Sequence, residues 1–560
     1  MKNNTNNKNE NFNIGIAQIS CQAGDLAGNT EKIINSIKQF EQSSMDLIIF
    51  PKFVLQGCEL NKFILRYPFF VNNLKKYLNN ISNKISKTTV LISFSDFDEA
   101  NNVVEKFALL KSNKVEILEQ NKFILNNMNF KIYSEKYSNY SDTDLMIIQD
   151  ESISRPNSKT QRNKKFSTLA KKYNCPIIFV NKVGAIDNLS FEGASFALNS
   201  SGEAFAMLKS FEEQLLCINP LCEKGEIFEK IVNDFENDKF SLDYEPDLER
   251  TYKSILQSVK SYFSAFGLKR AVLGLSGGLD STVCATILSE ALGKDNVLGV
   301  SMPSKITSGE SKSDAKTLAE NLGIKFIELP IKNEVETISY DLNKAFEEIA
   351  KSWEGRYKCS YTMDNIQARS RATFLWCISN EFASCIPIAT SDKSEAYMGY
   401  ATINGDMTGG YAPIADVTKT KLFALARWLN KNLERKNLIP TSIIEKRPGA
   451  ELAINPKTGK PLCAEEALMP YEFLDEIIWR IENKNETYEI MLNSEFEYEK
   501  MNNISKQEKQ EWLEKFYNRM SKALYKWSIM PCAPIIDAHS INSYEYKQPI
   551  SSSKIVYKDF

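Results

Sequence analysis

Up to Leu208 the chain alternates short apolar runs with stretches of helical periodicity. Phe12–Ile19, Met45–Phe50, Thr88–Phe94, Asp144–Ile148 and Pro176–Val180 are of strand length and rich in Ile, Val and Phe. Asn29–Phe40 repeats its apolar positions at helical spacing. Ser195–Asn199 and Ala204–Leu208 flank Ser200-Ser201-Gly202, a hairpin signal. The pattern predicts a layered α/β domain over residues 12–222, behind a polar tail, 1–11, expected to be disordered. Residues 223–247 are charged and weakly apolar, with Pro246 near their end, and read as a linker.

The remaining stretch, 248–560, has a different rhythm. Leu248–Phe263 reads as an amphipathic helix. Ala271–Gly274 ends a buried strand, Ser276-Gly277-Gly278 turns, and a helix runs on to Leu292 before Gly293. Asn296–Met302 is a strand, Ser311–Gly323 a helix and Lys325–Leu329 a strand. That order predicts a doubly wound parallel sheet, whose ligands bind outside the strand C-termini. Ser276–Ser281 and Met302–Lys305 lie at that edge. Residues 473–518 are helical and charged, and read as an inserted or oligomer-facing element.

Composition narrows the classes. A chain of 560 residues is too long for one core, and 43% hydrophobic with 25% charged residues suits a globular protein. Sixty-nine basic against 71 acidic side chains leave a net charge of −2, without the basic excess of a nucleic-acid binder. No apolar run is long enough to span a membrane. Eleven cysteines are scattered, several in apolar runs (Cys175, Cys217, Cys377, Cys385), as buried thiols of a reducing cytoplasm would be. With one histidine, His539, chemistry that needs none is favoured.

Candidate chemistry centres on Gly274-Leu275-Ser276-Gly277-Gly278-Leu279-Asp280-Ser281. Strand, glycine turn and helix N-terminus present backbone N–H groups and a positive dipole end to an anion. No Lys precedes Ser281, so the stretch is not G-x-x-x-x-G-K-[ST]. It fits S-G-G-x-D-S and so resembles the pyrophosphate loop of ATP pyrophosphatases, which cleave ATP between the α and β phosphates and adenylate a substrate. Thr390-Ser391-Asp392-Lys393-Ser394-Glu395 ends a later strand in an acidic, hydroxyl-rich turn. Asp280 and Glu395 are suited to share one Mg2+, which takes few carboxylates plus phosphate. Lys419, after the glycine-rich loop Gly399–Gly410, is placed to meet a phosphate. Arg369 and Arg371 fall on different faces of a helix.

The first half resembles the carbon–nitrogen hydrolase (nitrilase-like) family. Ala17-Gln18, Phe50-Pro51, Val180–Gly184 and Phe191–Ser195 carry the likeness. That family hydrolyses amides with a Glu base, a Lys and a Cys nucleophile. Carried over residue by residue, the Glu position holds Lys52, the Lys position Lys122 and the Cys position Gln149, with no nearby cysteine to replace it. The resemblance therefore implies a catalytically dead amidase domain.

The whole chain resembles NAD synthetases of the two-domain, glutamine-dependent type. Leu275–Ser281, Asn365–Arg369, Thr390–Glu395, Gly399–Thr402 with Gly405-Asp406-Met407, Asp416–Thr420 and Pro448–Leu452 carry it, in one order. The resemblance implies a nitrilase-like α/β sandwich followed by a doubly wound sheet of the ATP pyrophosphatase type. It implies a cytoplasmic, homo-oligomeric ligase that adenylates deamido-NAD with ATP and Mg2+ and amidates it to NAD. With the amidase triad lost, ammonia is the expected nitrogen donor, free or delivered by a separate glutaminase partner. Gly274 to Ser281, Thr390 and Lys419 are the implied ATP residues, and Asp280 and Glu395 the metal residues. Asn365, Arg369, Glu395, Tyr400, Ala401, Thr402, Ile403 and Lys526 are the implied substrate residues. The tail departs from the family: Lys526 of a Lys-Arg pair is kept without the Arg, and an arginine-rich run is replaced by Ser540–Tyr544. Nicotinate mononucleotide is the alternative substrate, and an inactive nucleotide-binding subunit the alternative role. The intact Asp280 and Glu395 speak against the latter.

Overall fold

The computed structural model describes residues 12–59, 68–135, 139–221, 226–230, 247–353, 361–434, 437–449 and 463–541. The tail 1–11, most of the proposed linker, Ala450–Leu452 and Asn542–Tyr544 lie outside them. The chain divides into two compact units, Met1–Pro246 and Asp247–Phe560.

The first unit is built on two sheets. One has the order β15-β14-β1-β2-β3-β4-β5. Its strands are β1 Ile14–Gln18, β2 Leu47–Ile49, β3 Thr89–Phe97, β4 Val103–Lys111, β5 Lys114–Ile117, β14 Gln214–Asn219 and β15 Glu226–Lys230. The other has the order β13-β12-β9-β8-β7-β6. It contains β6 Lys122–Leu125, β7 Met128–Ile132, β8 Leu145–Asp150, β9 Ile177–Asn181, β12 Phe196–Leu198 and β13 Ala204–Met207. Between them in sequence, β10 Val183–Ile186 and β11 Leu189–Glu192 form a separate ribbon.

Period-two alternation explains the continuous apolar runs. Ile14, Ile16, Leu47, Ile49, Leu145, Ile147, Ile178 and Val180 share one core between the sheets. Their neighbours point outward to helices. Ile48 and Val90 meet α1 (Leu26–Glu41) and α2 (Pro68–Ser82), while Met146, Ile177 and Phe179 meet α3 (Ser158–Tyr173). The result is an α-β-β-α sandwich. Helix α1 begins before the predicted Asn29 because the Asp25 side chain accepts the Gly28 N–H and caps it. Residues 226–230, assigned to the linker from sequence, instead form strand β15, antiparallel to β14. A charged edge strand lacks the apolar run that marks a central one.

The second unit contains a parallel sheet of order β18-β17-β16-β19, with β16 Arg270–Gly274, β17 Val297–Ser301, β18 Lys325–Glu328 and β19 Cys385–Pro387. Helices cover both faces. α4 (Asp247–Ala265), α5 (Leu279–Leu292), α6 (Gly309–Leu322) and α10 (Lys419–Asn432) pack against Ala271, Leu273 and Val297. α7 (Lys332–Ile349) and α8 (Thr362–Glu381) lie over Val272 and Val300. The order turns around at β16, so the strand ends Gly274, Ser301 and Pro387 surround a crevice.

The helical stretch at 473–518 packs as a third layer. α11 (Tyr471–Lys484), α12 (Tyr488–Asn493) and α13 (Lys506–Trp527) bury Leu474, Ile477, Ile478, Leu513 and Phe516 against Ala396, Tyr397 and Met398. Tyr397 closes the short helix α9, Lys393–Tyr397. Cys377 is exposed on α8, because its run faces outward there, whereas Cys175 and Cys217 are buried. No helix among the described residues is long and apolar enough to cross a membrane.

Candidate active site

Four sequence blocks meet at the crevice. Gly274 to Asp280, Thr390, Glu395, Tyr400 and Lys419 line one cavity of about 240 Å3. Gly277 makes the turn in the left-handed region, at φ 73°, and a Cβ there would lie 2.3 Å from the Ser311 carbonyl oxygen. Gly278 caps α5 without any side-chain hydrogen bond, so the first N–H groups of that helix have no side-chain partner at the cap. Ser281 is buried, and its hydroxyl donates to the Gly278 carbonyl at 3.2 Å; it braces the loop from within.

The charged centre stands beside that N-terminus. The Lys419 ammonium lies 2.7 Å from Asp280 Oδ1, 2.6 Å from Asp392 Oδ2 and 3.1 Å from Glu395 Oε1. Burial works against the ammonium, but the three carboxylates hold its pKa well above the ordinary lysine value. Burial pushes Glu395 well above the usual carboxylate range; Asp392 and Asp280 add to this, and Lys419 opposes it. Asp392 is raised for the same reasons. One oxygen from each acid falls within 4.8 Å of the others. A single ammonium faces three acidic side chains. The clustered, all-oxygen donor set fits a hard divalent cation such as Mg2+.

Asp392 went unassigned in the sequence. Its Oδ1 accepts the Glu395 N–H at 2.9 Å, as an N-cap does, while Oδ2 faces Lys419. The Asp-x-x-Glu spacing was the available signal. Arg371 also lines the cavity, with Lys312, Lys446 and Arg447, whose positive charge no sequence motif pointed to.

The residues implied for the substrate separate into two groups. Glu395 and Tyr400 face the cavity. The others organise the segment after α9. Asn365 accepts the Thr402 hydroxyl at 2.8 Å, Arg369 Nε donates to the Ile403 carbonyl at 3.2 Å, and Lys526 Nζ donates to the carbonyls of Gly399 and Ala401 at 2.8 and 2.6 Å. Burial lowers the Lys526 pKa.

Helix α11 reaches the same region. Asp475 accepts the Ser394 hydroxyl and, at 2.7 Å, the Thr420 N–H. Glu482 accepts Lys393 Nζ and Tyr397 OH, each at 2.7 Å. Burial pushes the two carboxyls up to about 6 and about 7.

In the first unit, the three amidase positions form no triad. Lys52 follows β2 and pairs with Glu105 at 3.3 Å. Burial opposes its charge, yet Glu105 and Glu151 raise its pKa. Gln149 is buried, and its Nε2 donates to the Phe50 carbonyl at 2.6 Å, as no catalytic thiol would. Lys122 is exposed on the edge strand β6, two strands from β8. Cys58 lies elsewhere in this unit: the Glu59 N–H beside it bonds Glu151 Oε2 at 3.4 Å, and Glu151 pairs with Lys182 at 2.9 Å. Burial pushes the Cys58 thiol up to about 11 against the pull of Lys182, which disfavours its thiolate.

Comparison with known proteins places this architecture. A family model described as NAD synthase matches residues 251–515. The glutamine-dependent NAD(+) synthetase of Synechocystis sp. is 30% identical over 539 residues, covering 87% of this chain and 91% of that protein. The one from Aquifex aeolicus is 31% identical over 532 residues, covering 83% and 88%. Among solved structures, the glutamine-dependent NAD+ synthetase from Acinetobacter baumannii in complex with adenosine diphosphate is 24% identical. It covers 95% of this chain and 100% of its own, with a TM-score of 0.68. A glutamine-dependent NAD(+) synthetase from Cytophaga hutchinsonii shares the fold at 17% identity and a TM-score of 0.76, covering 96% and 97%. From sequence likeness over both units, the chain belongs to the glutamine-dependent NAD(+) synthetase family of ligases.

Proposed function

We propose that the second unit binds ATP with its phosphates on the 274–280 loop, adenylates the nicotinate carboxylate of deamido-NAD, and passes the acyl group to ammonia. The products are NAD, AMP and pyrophosphate. The observation that carries this reading is the α5 N-terminus, with no side-chain cap, and the Asp280–Asp392–Glu395–Lys419 cluster lining one cavity. The nicotinate carboxylate is ionised at neutral pH, so its oxygen attacks the α-phosphorus without a general base and pyrophosphate leaves. What the step requires is charge neutralisation along the phosphates. The loop N–H groups supply it at one end, and Lys312, Arg371, Lys446 and Arg447 along the wall. Asp280, Asp392 and Glu395 would hold Mg2+, which when bound supplies further charge neutralisation on the phosphates. Lys419, which lines the same cavity, adds a positive charge beside the phosphates. Ammonia attacks the acyl carbon, and AMP departs with the carboxylate oxygen.

Ammonia is the donor in this reading because Lys52, Lys122 and Gln149 make no glutaminase. A separate glutaminase partner is the natural source in a cell, and a homo-oligomer in the cytoplasm the expected setting. The test is ATP-dependent AMP release by pure protein, with deamido-NAD and ammonium present. Release that requires deamido-NAD and is lost in Asp280→Ala supports the reading. Equal release with nicotinate mononucleotide in its place would reassign the substrate.

A further inference from the structure

Asp392 and Glu395 flank two residues, Lys393 and Ser394, whose side chains point away from the cavity into the α11 layer. Lys393 is fully buried and its ammonium meets Glu482 at 2.7 Å, Asp416 at 3.2 Å and Asp537 at 3.5 Å. The Ser394 hydroxyl bonds Asp475 and also accepts the Lys419 N–H at 2.8 Å. Asp475 in turn takes the N–H of Thr420. Asp475 and Glu482 are seven residues apart, two helical turns, so both fall on one face of α11. That face grips α9 at Lys393, Ser394 and Tyr397, and the start of α10 directly at Thr420 and through Ser394 at Lys419.

Packing alone does not explain this face. Buried carboxylates cost several kcal/mol to desolvate, and apolar side chains of similar size would fill the space more cheaply. The carboxylates add direction: each oxygen of Asp475 and Glu482 receives a hydrogen bond from a residue adjoining the charged cluster. We propose that Asp475 and Glu482 are positioning residues. From α11 they fix the separation of Asp392, Glu395 and Lys419, and with it the affinity of the cluster for a divalent cation. This rests on the proposed nucleotide and metal site and deepens it.

The experiment is Mn2+ titration of the full chain followed by electron paramagnetic resonance, with melting temperature recorded in parallel. Asp475→Asn and Glu482→Gln keep the shape and remove acceptor or charge. Each is expected to weaken Mn2+ binding about tenfold or more, as loss of an orienting group does. Ile477→Val, on the same helix but in the apolar core, is expected to lower the melting temperature while leaving Mn2+ affinity unchanged. If either acidic variant fails to fold, Tyr397→Phe removes one bond to Glu482 and is expected to weaken Mn2+ binding in the same direction. Affinities within about twofold of the parent in every folded variant would overturn the proposal. Asp280→Asn separates the two claims. If it too leaves Mn2+ bound, the metal site itself is misplaced; if it alone loses Mn2+, only the positioning role fails.

Discussion

Lys419→Met is the sharpest perturbation of the charged cluster. The substitution keeps the aliphatic stem and deletes an ammonium held by three carboxylates at 2.7, 2.6 and 3.1 Å. Lys419 is 1% exposed and Asp392 fully buried, so water cannot replace the lost charge at that end. Removing one partner of a buried ion pair costs about 3–5 kcal/mol. Asp280 and Glu395 keep side-chain exposures of 26% and 16%, which favours the lower end of that range. With an unfolding entropy of about 2.1 cal/mol/K per residue, that lower end makes a unit of roughly 300 residues melt about 5 °C lower. The assay is scanning calorimetry in chelator-treated buffer and again in Mg2+. The variant loses stability without metal, and regains more from Mg2+ than the parent does, because no ammonium competes for the oxygens. An unchanged melting temperature without metal would refute the cage geometry. An equal Mg2+ response in parent and variant would refute the competition between ammonium and metal.

Other expectations are as direct. Gly277→Ala forces a side chain into the left-handed region against the Ser311 carbonyl, and ATP-dependent AMP release should fall below about a hundredth of the parent's. Lys526→Met frees two carbonyls of the 399–401 segment; steady-state kinetics should show the KM for deamido-NAD rising about tenfold with the KM for ATP little changed. With the Cys58 pKa raised to about 11, its thiolate fraction climbs with pH and is about one in a thousand at pH 8. Peptide mapping should therefore find Cys58 unlabelled by iodoacetamide at pH 8 and increasingly labelled toward pH 11. A glutamine-mimicking diazoketone should likewise leave it unmodified at neutral pH.

The parts of the molecule legible in the sequence are those coded locally. The 271–281 stretch has its strand, glycine turn and helix in consecutive residues, and the structure keeps that order. The central strands of both units announce themselves because burial on two faces makes them continuously apolar. Hairpins such as β4–β5 and β6–β7 did not stand out, since exposed edge positions carry Lys and Glu and break the pattern. Long-range pairings were invisible for a different reason. Asp475 and Glu482 read as polar residues on an amphipathic helix, and nothing near them in sequence points to Ser394, 81 residues away, or to Lys393, 89 away. Gln149 shows the converse: its place at a strand end followed from the motif, but its bond to Phe50 required the sandwich to bring β8 and the end of β2 together.

The most direct measurement of the central claim is NAD formation by the pure chain with ATP, Mg2+ and deamido-NAD, comparing ammonium with glutamine as nitrogen source. The account predicts product with ammonium and none with glutamine. Product with glutamine at a comparable rate would contradict it and place a working nucleophile in the first unit, with Cys58, beside Glu151 and Lys182, the residue to replace next.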